Sequence, residues 1–372
     1  MNKLKIIANY LPQYHQIPEN DKWWGEGYTD WTAVKASKPQ FKGHLQPRVP
    51  INKEYYSLDD VNVIKKQAEL ALKYGISGWG IYHYWFNSNQ HLLHKPAEII
   101  LSCEDISIPF FFIWDNSTWK RTWSNVKSGN EWAPLYEGTS ESDNNGILAL
   151  LDYGSEKDWK IHFDYLVQFF KDARYIKVGN KPVFSVFNGN NDYETILKMC
   201  SKWNEWAKDR GFDGMYFISG RNNGKHELEY NFMYTPFGNG SLTNAQQFFL
   251  RVYRKICTKT NRPQKFNYDK VWRRILNNVN ECNDKNVLYG GFVGYDDTPR
   301  RGVKARIVIG QTPEKFEKYI KDLILISKKR NKEFLFITAW NEWGEGAYLE
   351  PDEENGYAYL EALKRAIDSV NE

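Results

Sequence analysis

Short apolar runs alternate with longer amphipathic stretches along almost the whole chain. Runs over 3–8, 78–82, 108–113, 182–187, 214–218, 286–291 and 333–339 predict strands. Their near-continuous hydrophobicity is that of strands buried on both faces, as in a parallel sheet. Between them, 58–74 places Val61, Ile64, Ala68, Ala71 and Leu72 on one face of a helix. Similar periodicity predicts helices over 97–101, 157–170, 193–210, 313–329 and 357–370. From 223 to 283 the pattern weakens, and it predicts a short strand over 231–234 and helices over 245–257 and 270–279. The result is about eight β-then-α units in order, which predicts a parallel sheet closed into a (β/α)8 TIM barrel with long loops at its C-terminal face. An open doubly wound sheet is the alternative, but no strand is followed by Gly-x-Gly-x-x-Gly or a phosphate-binding loop. With no low-complexity segment and no Pro/Ser linker, residues 1–372 are read as one domain.

Composition narrows the function. At 372 residues and 41% hydrophobic, the chain can bury a large core, yet no segment approaches the roughly 20 uninterrupted apolar residues of a membrane span. The N-terminus enters a strand-like run at once and is too short in its apolar part for a signal peptide. Cys103, Cys200, Cys257 and Cys282 lie far apart without paired spacing, and three fall in helix-like segments. Free thiols in a reducing compartment, hence a cytoplasmic protein, is the expectation. The net charge of +4 is too weak and too evenly spread to argue for nucleic acid. It permits a mild attraction to an anionic glycan or a peripheral membrane association.

Aromatic residues make up 16% of the chain, and many stand where loops are expected. Trp23, Trp24, Trp31, Trp85, Trp114, Trp119, Trp123, Trp132, Trp340 and Trp343 fall in or beside segments that follow strands. After the first strand come Tyr10-Leu-Pro-Gln-Tyr-His15 and Trp23-Trp-Gly-Glu-Gly-Tyr-Thr-Asp-Trp31. After the second comes His83-Tyr-Trp-Phe-Asn87, and after the third Trp114-Asp-Asn-Ser-Thr-Trp-Lys-Arg-Thr-Trp123. After the seventh comes Tyr295-Asp-Asp-Thr-Pro-Arg-Arg301, and after the eighth Asn341-Glu-Trp-Gly-Glu345. In a barrel these loops converge on one cleft. Flat rings for sugar C–H faces and polar groups for hydroxyls would line it, with paired acids for proton or nucleophile work.

The candidate catalytic pair is Glu342 and Glu345. The candidate substrate-binding residues are Tyr10, His15, Trp24, Glu26, Asp30, Trp31, His83, Tyr84, Trp85, Asp115, Asn116, Trp119, Arg121, Asp297, Arg300, Trp340, Asn341 and Trp343. Each has a plainer reading. The two glutamates could be surface charges near a helix N-terminus, although surface acids have no need of Trp340 and Trp343 around them. Asp115 and Asn116 could cap a turn, and His83 could be a hydrogen-bonded core histidine. Arg300 and Arg301 could pair with the neighbouring Asp-Asp instead of an acidic sugar or phosphate, and Glu350 reads as structural. No cofactor and no metal are expected. His91 and His94 are spaced for a helix face, but no third ligand lies nearby and no His-Glu-x-x-His occurs.

Taken together, Tyr10-Leu-Pro-Gln-Tyr-His15, Asp21-Lys-Trp-Trp-Gly-Glu-Gly-Tyr-Thr-Asp-Trp31, Tyr82-His-Tyr-Trp-Phe86, Asp297-Thr-Pro-Arg-Arg301, Ala339-Trp-Asn-Glu-Trp-Gly-Glu-Gly346 and Leu349-Glu-Pro-Asp352 resemble the WbsX family. The resemblance runs from about residue 5 to residue 368. That family carries a glycoside hydrolase family 99-like domain and is associated with bacterial surface-polysaccharide synthesis, such as O-antigen. The resemblance implies a (β/α)8 barrel and retaining endo-acting chemistry on a Glu-x-x-Glu pair. Glu342 would act as base on the sugar's own 2-hydroxyl, and Glu345 as acid/base for the leaving group.

Three functions follow. The first is a retaining endo-glycosidase or transglycosylase acting on an oligo- or polysaccharide, either free or lipid-linked. The second is a sugar-nucleotide glycosyltransferase, although no Asp-x-Asp occurs; Asp192-Tyr-Glu194 and Asp352-Glu-Glu354 are the nearest approaches. The third is a non-catalytic glycan-binding protein.

Overall fold

The apolar runs pair, side by side and all parallel, into a closed ring. The computed structural model describes residues 4–120, 147–189, 191–220, 230–232 and 244–371. Its barrel strands are β1 Lys5–Tyr10, β2 Gly78–Asn87, β3 Phe110–Trp114, β4 Lys181–Val186, β5 Tyr216–Gly220, β6 Tyr230–Phe232, β7 Val287–Phe292 and β8 Phe334–Thr338. Each pairs in parallel with the next, and β8 returns to β1 through Lys5↔Phe334 to Ala8↔Ile337. This is the expected (β/α)8 barrel, and closure leaves no exposed sheet edge.

Rings from strands that are not neighbours fill its interior. Phe111 of β3 meets Phe334 and Phe336 of β8, with ring centroids 6.4 and 6.2 Å apart, and Tyr216 of β5 meets Phe334 at 6.2 Å. The alternate residues Phe110 and Phe112 point outward and pack on Phe169. That ring belongs to helix α5, Glu156–Lys171. Strand parity therefore divides each run between the inner and outer core layers.

Eleven α-helices are described. Besides α5 they are α1 Pro18–Trp24, α2 Asp30–Ala36, α3 Val61–Lys73, α4 Lys95–Ser102, α6 Tyr193–Asp209, α7 Asn244–Lys259, α8 Tyr268–Glu281, α9 Thr298–Arg301, α10 Pro313–Lys329 and α11 Ala358–Asn371. On α3 the buried residues are Ile64, Gln67, Ala68 and Ala71, whereas Val61 and Leu72 are each 37% exposed. Gln67 displaces them from the expected stripe because its amide bridges Tyr10 and Glu350 in the interior. No described helix is long and apolar enough to cross a membrane.

Two departures from the sequence pattern matter for the site. The segment after β1 is not an irregular loop but contains α1 and α2, which carry Trp23, Trp24 and Trp31. Strand β2 runs five residues past the expected end at Tyr82, to Asn87, and Trp114 is the last residue of β3.

Candidate active site

The strand β8 ends in a tight hairpin. Asn341–Glu342 pairs antiparallel with Ala347–Tyr348, and Trp343–Glu345 forms a single 3-10 turn between them. Gly346 closes the turn at φ +56, and a Cβ there would lie 3.0 Å from Cβ of Asp296. The backbone N–H of Asp296 donates to the Glu345 carbonyl, so the hairpin is seated on the segment after β7. Asp296 is itself buried and held by His44, Gln46 and Thr298. These partners, with Arg48, outweigh its burial and hold its carboxyl down at about 2.

Arg300 from α9 lies across the hairpin. Its guanidinium reaches Oε1 of Glu345 at 2.9 Å, Oδ2 of Asp30 at 3.0 Å and Oε1 of Glu342 at 3.5 Å. Gly344 is needed for this, since a Cβ would sit 2.8 Å from Arg300 Nε. Burial works against the arginine's charge, but Asp30, Glu345 and Glu342 offset it and hold its pKa well above the usual value. Both glutamates approach the same nitrogen. Their contacting oxygens are therefore no farther apart than the sum of the two distances, about 6.4 Å.

Glu342 is buried, and no hydrogen bond reaches its Oε2. Burial first, and the charge of Glu345 second, push its carboxyl up to about 8 despite Arg300. Asp30 is also raised by burial, which Arg300 partly reverses.

These groups form one side of a cavity of about 340 Å³ at the C-terminal end of the barrel. Asp115 lines the same cavity, and six aromatic residues share its wall: Trp24, Tyr28, Tyr82, Tyr84, Trp119 and Phe187. The rings support one another, with Tyr84 and Trp119 at 4.9 Å, Tyr82 and Phe187 at 5.8 Å, and Trp24 and Tyr28 at 5.9 Å. Arg301 and Arg306 also line it, and both pair with the buried Asp297.

Of the expected site residues, the cavity brings together Glu342, Glu345, Trp24, Asp30, Tyr84, Asp115, Trp119 and Arg300. The others with described positions, apart from the exposed Glu26, are buried in the framework. Because β2 continues past Tyr82, parity sends Tyr82 and Tyr84 to the cavity and His83 and Trp85 to the outer layer. There His83 lies 2.8 Å from His162, and Trp85 stacks on the same ring. Burial, with His91 and His94, pushes His83 down to about 3, so it is a neutral core histidine.

Asn116 clamps two barrel loops by bonding Asn188 and Tyr153. Asn341 ties β8 to Leu11 through both backbone groups. Tyr10 and Trp340 pack against Trp79 in the outer layer. Trp343 stacks on Tyr348 at 3.7 Å and packs on Trp31. Its indole donates to Glu350, which also accepts from Tyr56 and Gln67. Burial nevertheless raises Glu350 to about 7, and its structural reading fits this position.

His15 is buried off the cavity wall, and Glu26 is exposed. Arg121, Trp123 and Trp132 lie outside the described residues. Sequence reasoning missed Tyr28, Phe187, Gln13 and Arg306 on the wall. Parity on a longer β2 would have found Tyr82, whereas nothing local marks Phe187 or Arg306.

The chain thus folds as a closed parallel barrel, with paired acids, a bridging arginine and aromatic rings around a cavity at its strand ends. The glycosyltransferase WbsX family matches residues 6–363, and the chain belongs to that family. Two proteins of Xanthomonas campestris pv. campestris, both named uncharacterized protein WxcX, are 29% and 30% identical to it. Each covers 97% of this chain, which spans about half (49%) of their length. Among solved structures, a GH99 endo-alpha-mannosidase from Bacteroides thetaiotaomicron is similar with a TM-score of 0.54. It is 15% identical and covers 100% of this chain and 98% of its own. A glycoside hydrolase-like protein gives a TM-score of 0.57 at 11% identity, covering 98% and 94%. At these identities the likeness is one of fold.

Proposed function

We propose that this protein is a retaining endo-glycosidase or transglycosylase acting on a bacterial surface polysaccharide. The observation that carries the reading is the pair Glu342 and Glu345 sharing Arg300 in an aromatic-walled cavity. Sharing one Arg300 nitrogen keeps their contacting oxygens within about 6.4 Å of each other, within reach of one bound sugar. Following the WbsX resemblance, Glu342 takes the proton of the sugar's 2-hydroxyl as O2 bonds to C1, and Glu345 protonates the departing glycosidic oxygen; Glu345 then takes a proton from the incoming water or acceptor hydroxyl that attacks C1, and Glu342 returns its proton to O2 as the anhydro ring opens. A base whose pKa stands near the operating pH transfers protons most effectively, which suits Glu342 at about 8. Arg300 holds both carboxylates in place, and the rings of Trp24, Tyr84 and Trp119 offer stacking faces to successive sugars. The four unpaired cysteines favour a reducing compartment.

A sugar-nucleotide transferase is the second reading, favoured by Arg300, Arg301 and Arg306 on one cavity. Against it, Arg300 already faces three carboxylates, while Arg301 and Arg306 already pair with Asp297. A diphosphate would have to compete with those ion pairs.

The test is mass spectrometry of the source cell's surface polysaccharide, or its lipid-linked precursor, after incubation with purified protein and no nucleotide sugar. Shorter or rearranged chains with the wild type, reduced ~10²–10⁴-fold with Glu345→Gln, support the glycosidase. An unchanged glycan that is extended once sugar nucleotides are added establishes the transferase instead.

A further inference from the structure

A second cluster of chemically active side chains stands apart from the acids, in the segment joining β2 to α4. After β2 the chain turns back through a short strand, Gln90–Leu92, that pairs antiparallel with it and sets His91 opposite Trp85. The His91 ring stacks on that indole, with centroids 5.0 Å apart and planes 2° from parallel. His94 follows at the N-cap of α4, and Glu98 stands one turn further on, so both project from the same face. The ligand atoms of His91, His94 and Glu98 all lie within 4.8 Å of one another. The sequence pattern offered no third donor nearby; the fold supplies Glu98, four residues after His94.

Two observations separate this cluster from an incidental surface grouping. Nδ1 of His94 is buried and has no hydrogen-bond partner. The Tyr165 hydroxyl reaches Oε1 of Glu98 at 3.4 Å, an outer contact of the kind that orients a metal-binding carboxylate.

We propose that His91, His94 and Glu98 bind a divalent transition-metal ion of the zinc class. Two imidazoles and a carboxylate match the borderline-soft donor set that zinc takes, and not the all-oxygen set of magnesium or calcium. Bonds of about 2.0–2.2 Å in tetrahedral geometry place donor atoms roughly 3.3 Å apart, so the cluster closes by side-chain rotation, with water completing the shell.

The ion's role is positional. Leu93, between the two histidines, lines the cavity that holds the paired acids and is buried at φ +55, a backbone region that residues other than glycine rarely adopt. Bonds to the residues on either side would tie this stretch to α4 and hold Leu93 in the cavity wall.

The experiment uses tag-free protein, stripped with a chelator and titrated with Zn²⁺ or Co²⁺ alone. One equivalent should bind, Co²⁺ should develop visible ligand-field absorption, and a hundredfold excess over Kd should raise Tm by several degrees. Mg²⁺ should do neither. Glu98→Gln and His94→Gln should each weaken binding at least tenfold. No saturable binding overturns the site. So does a Kd unchanged by Glu98→Gln, which would reveal only a pair of surface imidazoles.

Discussion

Replacing Glu342 by Gln should make the protein more stable, by an amount that depends on pH. The ordinary carboxyl pKa is 4.5 and the folded value is about 8. The folded protein therefore holds this proton more tightly than the unfolded chain does. Its contribution to stability is fully present below 4.5 and is lost as pH rises through about 8. Each unit is worth about 1.4 kcal/mol, so ionising Glu342 inside the fold costs up to about 5 kcal/mol. Gln keeps the shape and never ionises. The attraction of Arg300 at 3.5 Å is already contained in the shifted value and is not counted again. Urea unfolding of both proteins at steps from pH 4.5 to 9 gives the stability difference at each pH. Effects of the substitution unrelated to charge are the same at every pH and cancel when that difference is compared across the series. The advantage of Glu342→Gln should grow by about 2–5 kcal/mol between pH 4.5 and 8.5, while turnover is lost. A difference that stays constant with pH would show that Glu342 titrates normally. One that shrinks as pH rises would show that its ionised form is net stabilised by Arg300. Either result refutes the reasoning.

Other consequences are read from activity or stability. If Glu342 is the base, kcat/KM should rise with pH through about 8, following its raised pKa; a fall through the same value would make it the proton donor instead. Gly344→Ala should push Arg300 off the glutamates, since its Cβ would meet Nε at 2.8 Å. Overpacking of this kind costs ~1–3 kcal/mol, and kcat should fall more than Tm; an unchanged kcat would remove Arg300 from the positioning role. Glu350→Ala should destabilise the fold by at least ~3 kcal/mol at pH 8. It strands the buried donors of Tyr56, Gln67 and Trp343, and a loss below 1 kcal/mol in urea unfolding would contradict that account.

Local pattern alone carried much of this architecture. Hydrophobic runs and 3.6-residue periodicity depend only on neighbours along the chain. The order of the β-then-α units, down to the short sixth strand, was therefore legible before any contact was known. The spacing of Glu342 and Glu345 just after β8 was legible for the same reason, as was the clustering of aromatics beyond the strand ends, whereas the hairpin that carries the two acids was not. The structure alone decided which of those aromatics face the cavity. Extending β2 to Asn87 reverses nothing in the sequence, yet it sends Tyr82 and Tyr84 inward and His83 and Trp85 outward. Arg300 finds Asp30 across 270 positions of chain, and Asn341 finds Leu11 across 330. Trp340 and Trp343, the most suggestive residues of the strongest motif, pack behind the site and shape it without lining it. Propensity and period are properties of a segment. Burial, ion pairing and shifted pKa values are properties of a place, and barrel closure creates that place by bringing together the ends of strands far apart in sequence.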